Sequence, residues 1–232
     1  MSAILVLPTF NEKENLPNLV REIFDLKLDL DILVIDDNSP DGTGQLVDAL
    51  IPDFPRLKVI HREGKLGLGS AYKRGFKYAM EHDYANILTM DADFSHRPKY
   101  LPAMIEAGQS HDLIIGSRYV PGGGAQNWTI ARHIISRSAN LYAKLLLGIK
   151  ANDCTAGFRC YKRRVLEEIH PETILSSGYS FLVEMLYRCE SKGFSIYEVP
   201  IIFIDRFAGK SKISKNEISK AIKTVLRLRF LG

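Results

Sequence analysis

Ile87-Leu88-Thr89-Met90-Asp91-Ala92-Asp93 begins as an apolar run and ends in two carboxylates. The apolar half reads as a buried strand, and open α/β sheets bind ligands just beyond the carboxyl ends of their strands. Residues i and i+2 of extended chain point to one face, so Asp91 and Asp93 can converge on one cation. Oxygen-only ligation suits a hard divalent ion, Mg2+ or Mn2+, which takes one or two carboxylates and then substrate phosphates. An Asp-x-Asp pair alone is also a common solvated turn. A second acidic strand end, Asp36-Asp37 after Ile32-Leu33-Val34-Ile35, shifts the balance toward a site.

Working outward, strand and helix signals alternate. Strands are predicted at 3–7, 31–35, 57–61, 87–90 and 113–116, with helices at 12–24, 43–50, 68–81 and 100–107 between them. The first helix carries Leu16, Leu19, Val20 and Ile23 at helical spacing. Such alternation implies right-handed βαβ crossovers and an α/β fold with a mainly parallel central sheet. After Arg118 the pattern changes. Gly122-Gly123-Gly124 reads as a flexible turn, followed by a long helix over 130–147, another over 180–192, and short strands at 196–199 and 201–204. Ser214-Lys215-Asn216-Glu217 opens a last helix as a capping box. With no repeat and no low-complexity linker, residues 1–232 read as one domain, 1–117 nucleotide-binding and 118–232 acceptor-binding.

Composition supports a globular domain. The chain has 232 residues, 46% hydrophobic and 25% charged, enough to bury a full core. A net charge of +4 does not argue for nucleic acid. Cys154, Cys160 and Cys189 have no metal-like spacing and are expected to stay reduced in the cytoplasm. Ala3 to Leu7 is too short for a signal peptide and lacks a basic flank, and no apolar run reaches the ~18 to 20 residues of a membrane span.

Further motifs follow the strands. Pro8-Thr9-Phe10-Asn11-Glu12 offers donors and acceptors after the first strand, although Asn11 and Glu12 also suit a plain helix start. Asp36-Asp37-Asn38-Ser39-Pro40-Asp41-Gly42-Thr43 places three acids beyond a buried strand, where ribose hydroxyls or a base edge can bind, and also contains a turn signal. Gly64-Lys65-Leu66-Gly67-Leu68-Gly69 precedes a helix and can bring backbone N–H groups or Lys65 to a phosphate, without being a Walker A loop. Arg118, Arg132 and Arg137 follow the change of pattern, while Arg159, Arg206, Lys210 and Lys212 fall in turn-like segments. Taken singly, each is ordinary surface charge.

Together, these motifs resemble the dolichol-phosphate mannosyltransferase branch of the family 2 glycosyltransferases. The match includes the segments above, Asp91-Ala92-Asp93-Phe94-Ser95-His96, Gly116-Ser117-Arg118-Tyr119 and Arg132-x-x-x-Ser136-Arg137. It continues through Asp153-Cys154-Thr155-Ala156-Gly157-Phe158-Arg159 and Arg206-x-x-Gly209-x-Ser211-Lys212, in one order along nearly the whole chain. The resemblance implies a GT-A nucleotide-sugar fold, a divalent metal (Mg2+ or Mn2+), GDP-mannose as donor and a polyprenyl (dolichyl) phosphate as acceptor. It implies that Pro8, Asn11, Glu12 and Asp37 line the nucleoside pocket, with Lys65 and Ala92 on the donor side. Asp91 and Asp93 would hold the metal and the donor diphosphate. Arg118, Arg132 and Ser136 would grip the acceptor phosphate, and Arg206 and Lys212 the donor phosphates.

Phe10 stands where tyrosine is usual, and Ser95 where glutamine often serves as a further metal ligand, leaving that place to water or His96. The membrane helices that follow the domain in many relatives do not follow here, so the lipid is expected to be reached from the membrane surface or with a partner. A basic amphipathic C-terminal helix is a candidate for attachment: Ile218, Ala221, Ile222, Val225 and Leu226 recur at helical spacing among Lys215, Lys220, Lys223, Arg227 and Arg229. The plainer alternative is a helix packing its apolar face on the domain. The competing functions are a polyprenyl-phosphate glucosyltransferase using UDP-glucose, a family 2 enzyme with another acceptor, and an inactive nucleotide-sugar-binding scaffold. A NAD-binding protein is excluded by the missing G-x-G-x-x-G after the first strand.

Overall fold

The computed structural model describes residues 2–205 and 215–231. Strand β1 (Ala3–Thr9) alternates its side chains between two apolar cores. Ile4 and Val6 enter one core, and Ala3, Leu5 and Leu7 the other. A strand buried on both faces belongs in the middle of an α/β sandwich. Its neighbours β2 (Leu30–Asp36) and β4 (Asn86–Thr89) pair with it in parallel, and β3 (Leu57–His61) extends the sheet beyond β2.

Crossing helices cover both faces. Helices α1 (Leu16–Asp25), α2 (Thr43–Leu50) and α4 (Leu101–Ala107) pack on one core. Helix α3 (Leu68–Glu81) packs on the other, close enough that a Cβ on Gly75 would lie 2.4 Å from Val6. Helix α1 begins four residues later than expected. Asn11 has φ +60°, so its backbone turns away from the helix, and the chain reaches Leu16 through a turn before Pro17 fits the first helical turn.

Beyond β5 (Leu113–Ser117) the sheet departs from simple alternation. The order is β3-β2-β1-β4-β7-β5-β8, in which β7 (Arg159–Lys162) runs antiparallel between β4 and β5, and β8 (Ile196–Pro200) pairs in parallel with β5. Two antiparallel pairings restore direction, so β1, β2, β3, β4, β5 and β8 all end at the same edge. Strand β7 and helix α6 (Arg163–Ile169) were not expected, and Arg159, read as part of a turn, is completely buried in the sheet. The expected flexible turn at 122–124 leads directly into β6 (Gly124–Gln126), which pairs in parallel with β9 (Ile202–Ile204) as a separate two-stranded sheet.

Helices α5 (Ile130–Leu147), α7 (Tyr179–Ser191) and α8 (Lys215–Leu231) pack together beside the second core. Val225 and Leu228 of α8 are buried, and Arg227 pairs with buried Glu184 of α7, which also holds Arg188 at 2.9 Å. The packing role of α8 is therefore real, but it uses only one face: Ile222, Leu226 and Phe230 are exposed. Ser214 of the expected capping box, and the side chains of residues 215–218, lie outside the described residues. No helix of the described residues is long and apolar enough to cross a membrane. All three cysteines are buried free thiols whose pKa burial pushes up to about 12, which leaves them protonated and unreactive.

Candidate active site

Parallel strands bring their carboxyl ends together, and the acids gather there. Asp36, at the end of β2, is buried and used in the fold: its Oδ1 accepts from Thr9 Oγ1 at 3.0 Å and Ser39 Oγ at 2.5 Å, and its Oδ2 from Ser39 N–H at 3.0 Å. Asp41 is used likewise, accepting from the Thr43 N–H and hydroxyl and from the Lys13 N–H. These bonds tie the start of α2 to the turn after β1, where Asn11 N–H reaches Ser39 Oγ and Glu12 N–H reaches Thr43 Oγ1. Pro8, Asn11 and Glu12 are thus brought beside the Asp36–Thr43 turn.

Asp37, also buried, is held differently. Its Oδ2 accepts from the N–H groups of Leu66 and Gly67 at 3.1 and 3.2 Å, so these amides of the glycine-rich loop serve a carboxylate of the chain itself. Arg62, at the end of β3, places Nε 3.0 Å from Asp37 Oδ1, while its Nη1 and Nη2 are buried with no hydrogen-bond partner among the described residues. Burial raises the Asp37 pKa against the pull of Arg62 and the two amides, and burial lowers that of Arg62. Sequence reasoning missed Arg62. Exposed Lys65 stands 4.1 Å from the centre of the Phe10 ring.

Asp91 and Asp93 follow β4. Asp93 is buried, and its Oδ1 accepts from the Ser95 N–H at 3.1 Å and the Ser95 hydroxyl at 2.5 Å. The turn passes through Phe94 at φ +60°, a conformation that costs a bulky residue about 1–3 kcal/mol and persists only where its surroundings impose it. Ser95 therefore orients Asp93, in the place where a ligand glutamine was considered. Asp91 is partly exposed, and a Cβ on Gly157 would lie 3.4 Å from its Oδ1. Ala92 is packed into the core, leaving only its backbone for a donor.

His96 is not available as a metal ligand through Nδ1, which accepts the Asp91 N–H at 3.2 Å. Burial lowers its pKa, so the ring is neutral and the 3.7 Å approach to Asp91 Oδ2 is not an ion pair. The ring lies between Phe158 and Phe203, with centroids 5.4 and 5.3 Å away. Among the described residues no group of three or more His, Cys, Asp or Glu could hold a metal. Two oxygen-bearing acids, one fixed and one partly exposed, fit a hard cation whose remaining ligands come from a diphosphate and water.

The basic side is built from the second half of the chain. Arg118 follows β5 and is clamped by fully buried Asp153: Nε donates to Oδ2 at 2.7 Å and Nη2 to Oδ1 at 2.6 Å, with Thr155 Oγ1 at 2.7 Å. Burial opposes both charges, but each partner outweighs it, so the Arg118 pKa is raised and that of Asp153 lowered. Arg132, in the first turn of α5, donates to Asp205 at 2.5 Å. Ser136 Oγ accepts from Tyr119 at 2.7 Å, and Arg137 is exposed. His96 and Phe203 link the two sides: His96 Nδ1 lies 3.7 Å from Asp91 Oδ2, its ring packs edge-on against Phe203 at 5.3 Å, and the Arg118 guanidinium carbon lies 5.6 Å from the Phe203 ring. Arg159 lies below, donating to the carbonyls of Cys154, Ala156 and Leu182, and so fixes the loop that carries Asp153 and Gly157. Arg206, Lys210 and Lys212 lie outside the described residues.

Known proteins share this architecture. A glucosyl-3-phosphoglycerate synthase from Mycobacterium tuberculosis, solved with Mn2+, UDP and glucosyl-3-phosphoglycerate, superposes with TM-score 0.70 over 98% of this chain and 79% of its own, at 18% identity. A mannosyltransferase from Pyrobaculum calidifontis, solved with GDP-Man and Mn2+, gives 0.58 over 90% and 58%, at 15% identity. The fold is the GT-A glycosyltransferase fold. In sequence, polyprenol monophosphomannose synthase of Mycolicibacterium smegmatis is 44% identical over 221 residues, covering 94% of this chain and 83% of that protein. Undecaprenyl-phosphate mannosyltransferase of Micrococcus luteus is 42% identical over 227 residues, covering 98% and 93%. Residues 4–170 match the family described as Glycosyl transferase family 2. The chain belongs to that family and is a glycosyltransferase.

Proposed function

We propose that this protein transfers mannose from GDP-mannose to a polyprenyl phosphate, with inversion at the anomeric carbon. The observation that carries the reading is the line of contacts beyond the carboxyl edge of the sheet that runs from Asp91 through His96 and Phe203 to Arg118. The similarity to two polyprenyl-phosphate mannosyltransferases along nearly the whole chain supports it.

In this reading residues 1–117 bind the donor and 118–232 the acceptor. Pro8, Asn11, Glu12 and Asp37 line the nucleoside pocket, with Lys65 near the phosphates. Asp91 and Asp93 would hold Mg2+ or Mn2+, which would supply positive charge to the departing diphosphate. Arg118, Arg132 and Ser136 hold the acceptor phosphate in line with the sugar. An acceptor oxygen forms the bond to C1 as the bond from C1 to the GDP β-phosphate oxygen breaks, giving GDP and a β-linked mannosyl phosphodiester. The acceptor is already anionic near neutral pH, so no strong general base is required. The chain supplies positioning and cations that let two anions approach.

The lipid calls for contact with a membrane surface. Ile130, Ile134, Leu141 and Leu145 of α5 are all exposed, and fall within about 60° of one another around the helix. Helix α8, packed against α5, adds exposed Ile222, Leu226 and Phe230 beside exposed Lys220, Lys223 and Arg229. Two apolar stripes with basic neighbours suit peripheral attachment to an anionic surface on its cytoplasmic side. The deciding experiment incubates the pure protein with Mg2+ and a short polyprenyl phosphate, offering GDP-mannose or UDP-glucose separately. Mannosyl lipid from GDP-mannose alone is expected, and product only from UDP-glucose would overturn the donor assignment.

A further inference from the structure

We propose that Trp128 is the positioning residue of the acceptor-phosphate site, its indole seating both Arg118 and Arg132 where a phosphate can meet them together. The inference rests on the reading of those arginines as acceptor ligands.

Trp128 is the only tryptophan of the chain. It lies between β6 and α5, after Asn127 at φ +63° and before Thr129, whose hydroxyl caps α5 by accepting the Arg132 N–H at 3.3 Å. The guanidinium carbon of Arg132 lies 4.5 Å from the centre of the indole, and that of Arg118 lies 5.4 Å away. Phe203 of β9 approaches the indole edge-on, at 5.5 Å and 69°, and the guanidinium carbons of Arg118 and Arg132 are 5.6 and 6.0 Å from its ring. Two like charges thus share one aromatic corner.

That corner opposes the charges unless something offsets them. Arg132 occupies the third position of α5, next to the positive end of the helix dipole, where a cation is disfavoured. Asp153 and Asp205 neutralise the two arginines one by one, but neither carboxylate bonds both. The rings do what a carboxylate does not: a π face attracts each cation without occupying its N–H donors. Arg132 Nε is buried with no hydrogen-bond partner among the described residues. The short β6–β9 sheet, which carries Phe203 and leads into Trp128, is therefore the frame of the phosphate grip, and Trp128 its shared seat.

The test uses Trp128→Leu and Trp128→Phe in the whole protein, with polyprenyl phosphate varied at saturating GDP-mannose and Mg2+. Loss of the ring face should raise the acceptor KM roughly tenfold in the leucine variant, while phenylalanine restores most of the effect. The kcat and the donor Kd, read by calorimetry, should stay close to wild type in both. An unchanged acceptor KM in folded Trp128→Leu, or equal damage in both variants, would overturn the proposal. A second arm needs no turnover: farnesyl phosphate should change the fluorescence of the lone tryptophan in the wild-type protein, and GDP should not. Silence toward farnesyl phosphate, or an equal response to GDP, would also overturn it, whether or not the leucine variant folds. A fluorescence response in a protein that makes no mannosyl lipid would instead refute the proposed function and leave the seat in place.

Discussion

Asp153→Asn is the substitution that most directly tests how the basic side is held. Asp153 is fully buried and meets Arg118, itself only 10% exposed in its side chain, through two charge-assisted hydrogen bonds. Asparagine removes the charge and turns one acceptor into a donor aimed at a donor. Leaving a buried guanidinium without its carboxylate costs about 3–5 kcal/mol, a large share of a typical total stability of about 5–15 kcal/mol. For a chain of this size that lowers the melting temperature by about 6–20 °C. Urea unfolding with an unchanged m-value would measure the loss. Replacing both partners, Arg118→Met with Asp153→Leu, should recover part of the stability, because the apolar pair removes the unpaired charge and leaves only the Arg118 backbone N–H without its Asp153 acceptor. Phosphate or sulfate should also restore part of it to Asp153→Asn by supplying the missing anion. A loss below about 1 kcal/mol, or a double variant no better than the single, would refute the argument that this pair is electrostatically interdependent.

Three other outcomes are expected. Asp93→Ala should abolish metal-dependent transfer and, by leaving the Ser95 N–H and hydroxyl without their acceptor, cost about 1–3 kcal/mol of stability; retained turnover would remove Asp93 from the ligand set. Asp31 is opposed by burial but pulled below its usual pKa by Lys58, Tyr84 and Arg56, so its contribution is present above pH 3.8 and is lost as pH falls further. Acid unfolding of Asp31→Asn should therefore converge with wild type below that pH, and a constant gap between the two curves would count against the assignment. Anionic vesicles should float the protein at low salt and release it at high salt, with Ile134→Glu or Phe230→Glu weakening flotation; failure of the wild-type protein to float would leave α8 its packing role alone.

Much of the first half was legible because its strands are continuous apolar runs closed by turn residues, and its helices carry apolar residues at helical spacing. The acid pair at 91 and 93 was legible for the same reason, since a strand end is a place that can be counted. Strand β7 was not. It is four residues long, opens on a buried arginine and passes into α6 without a loop, so neither alternation nor turn chemistry marks it. Arg159 defeats composition as a guide, since carbonyls hidden from the sequence make its burial possible. Asp36, Asp37 and Asp41 looked alike as acids beyond a strand. Only the hydrogen bonds separate two fold-building carboxylates from the one beside Arg62. Trp128 gave a single weak signal, its being alone of its kind.

The antiparallel insertion of β7 fixes an order of assembly. Strands β1 to β4 can pair as the chain emerges, but the open edge of β4 receives its partner only when residues 159–162 arrive. Strand β5 is made earlier than β7 yet has no neighbour until β7 or β8 is present. A half-made chain therefore exposes an unpaired, apolar strand edge beside the position where Asp91 and Asp93 will stand, an invitation to intermolecular pairing during synthesis. Pulsed hydrogen exchange during refolding should protect β1 and β2 before β5, and simultaneous protection would show that the sheet closes in one step.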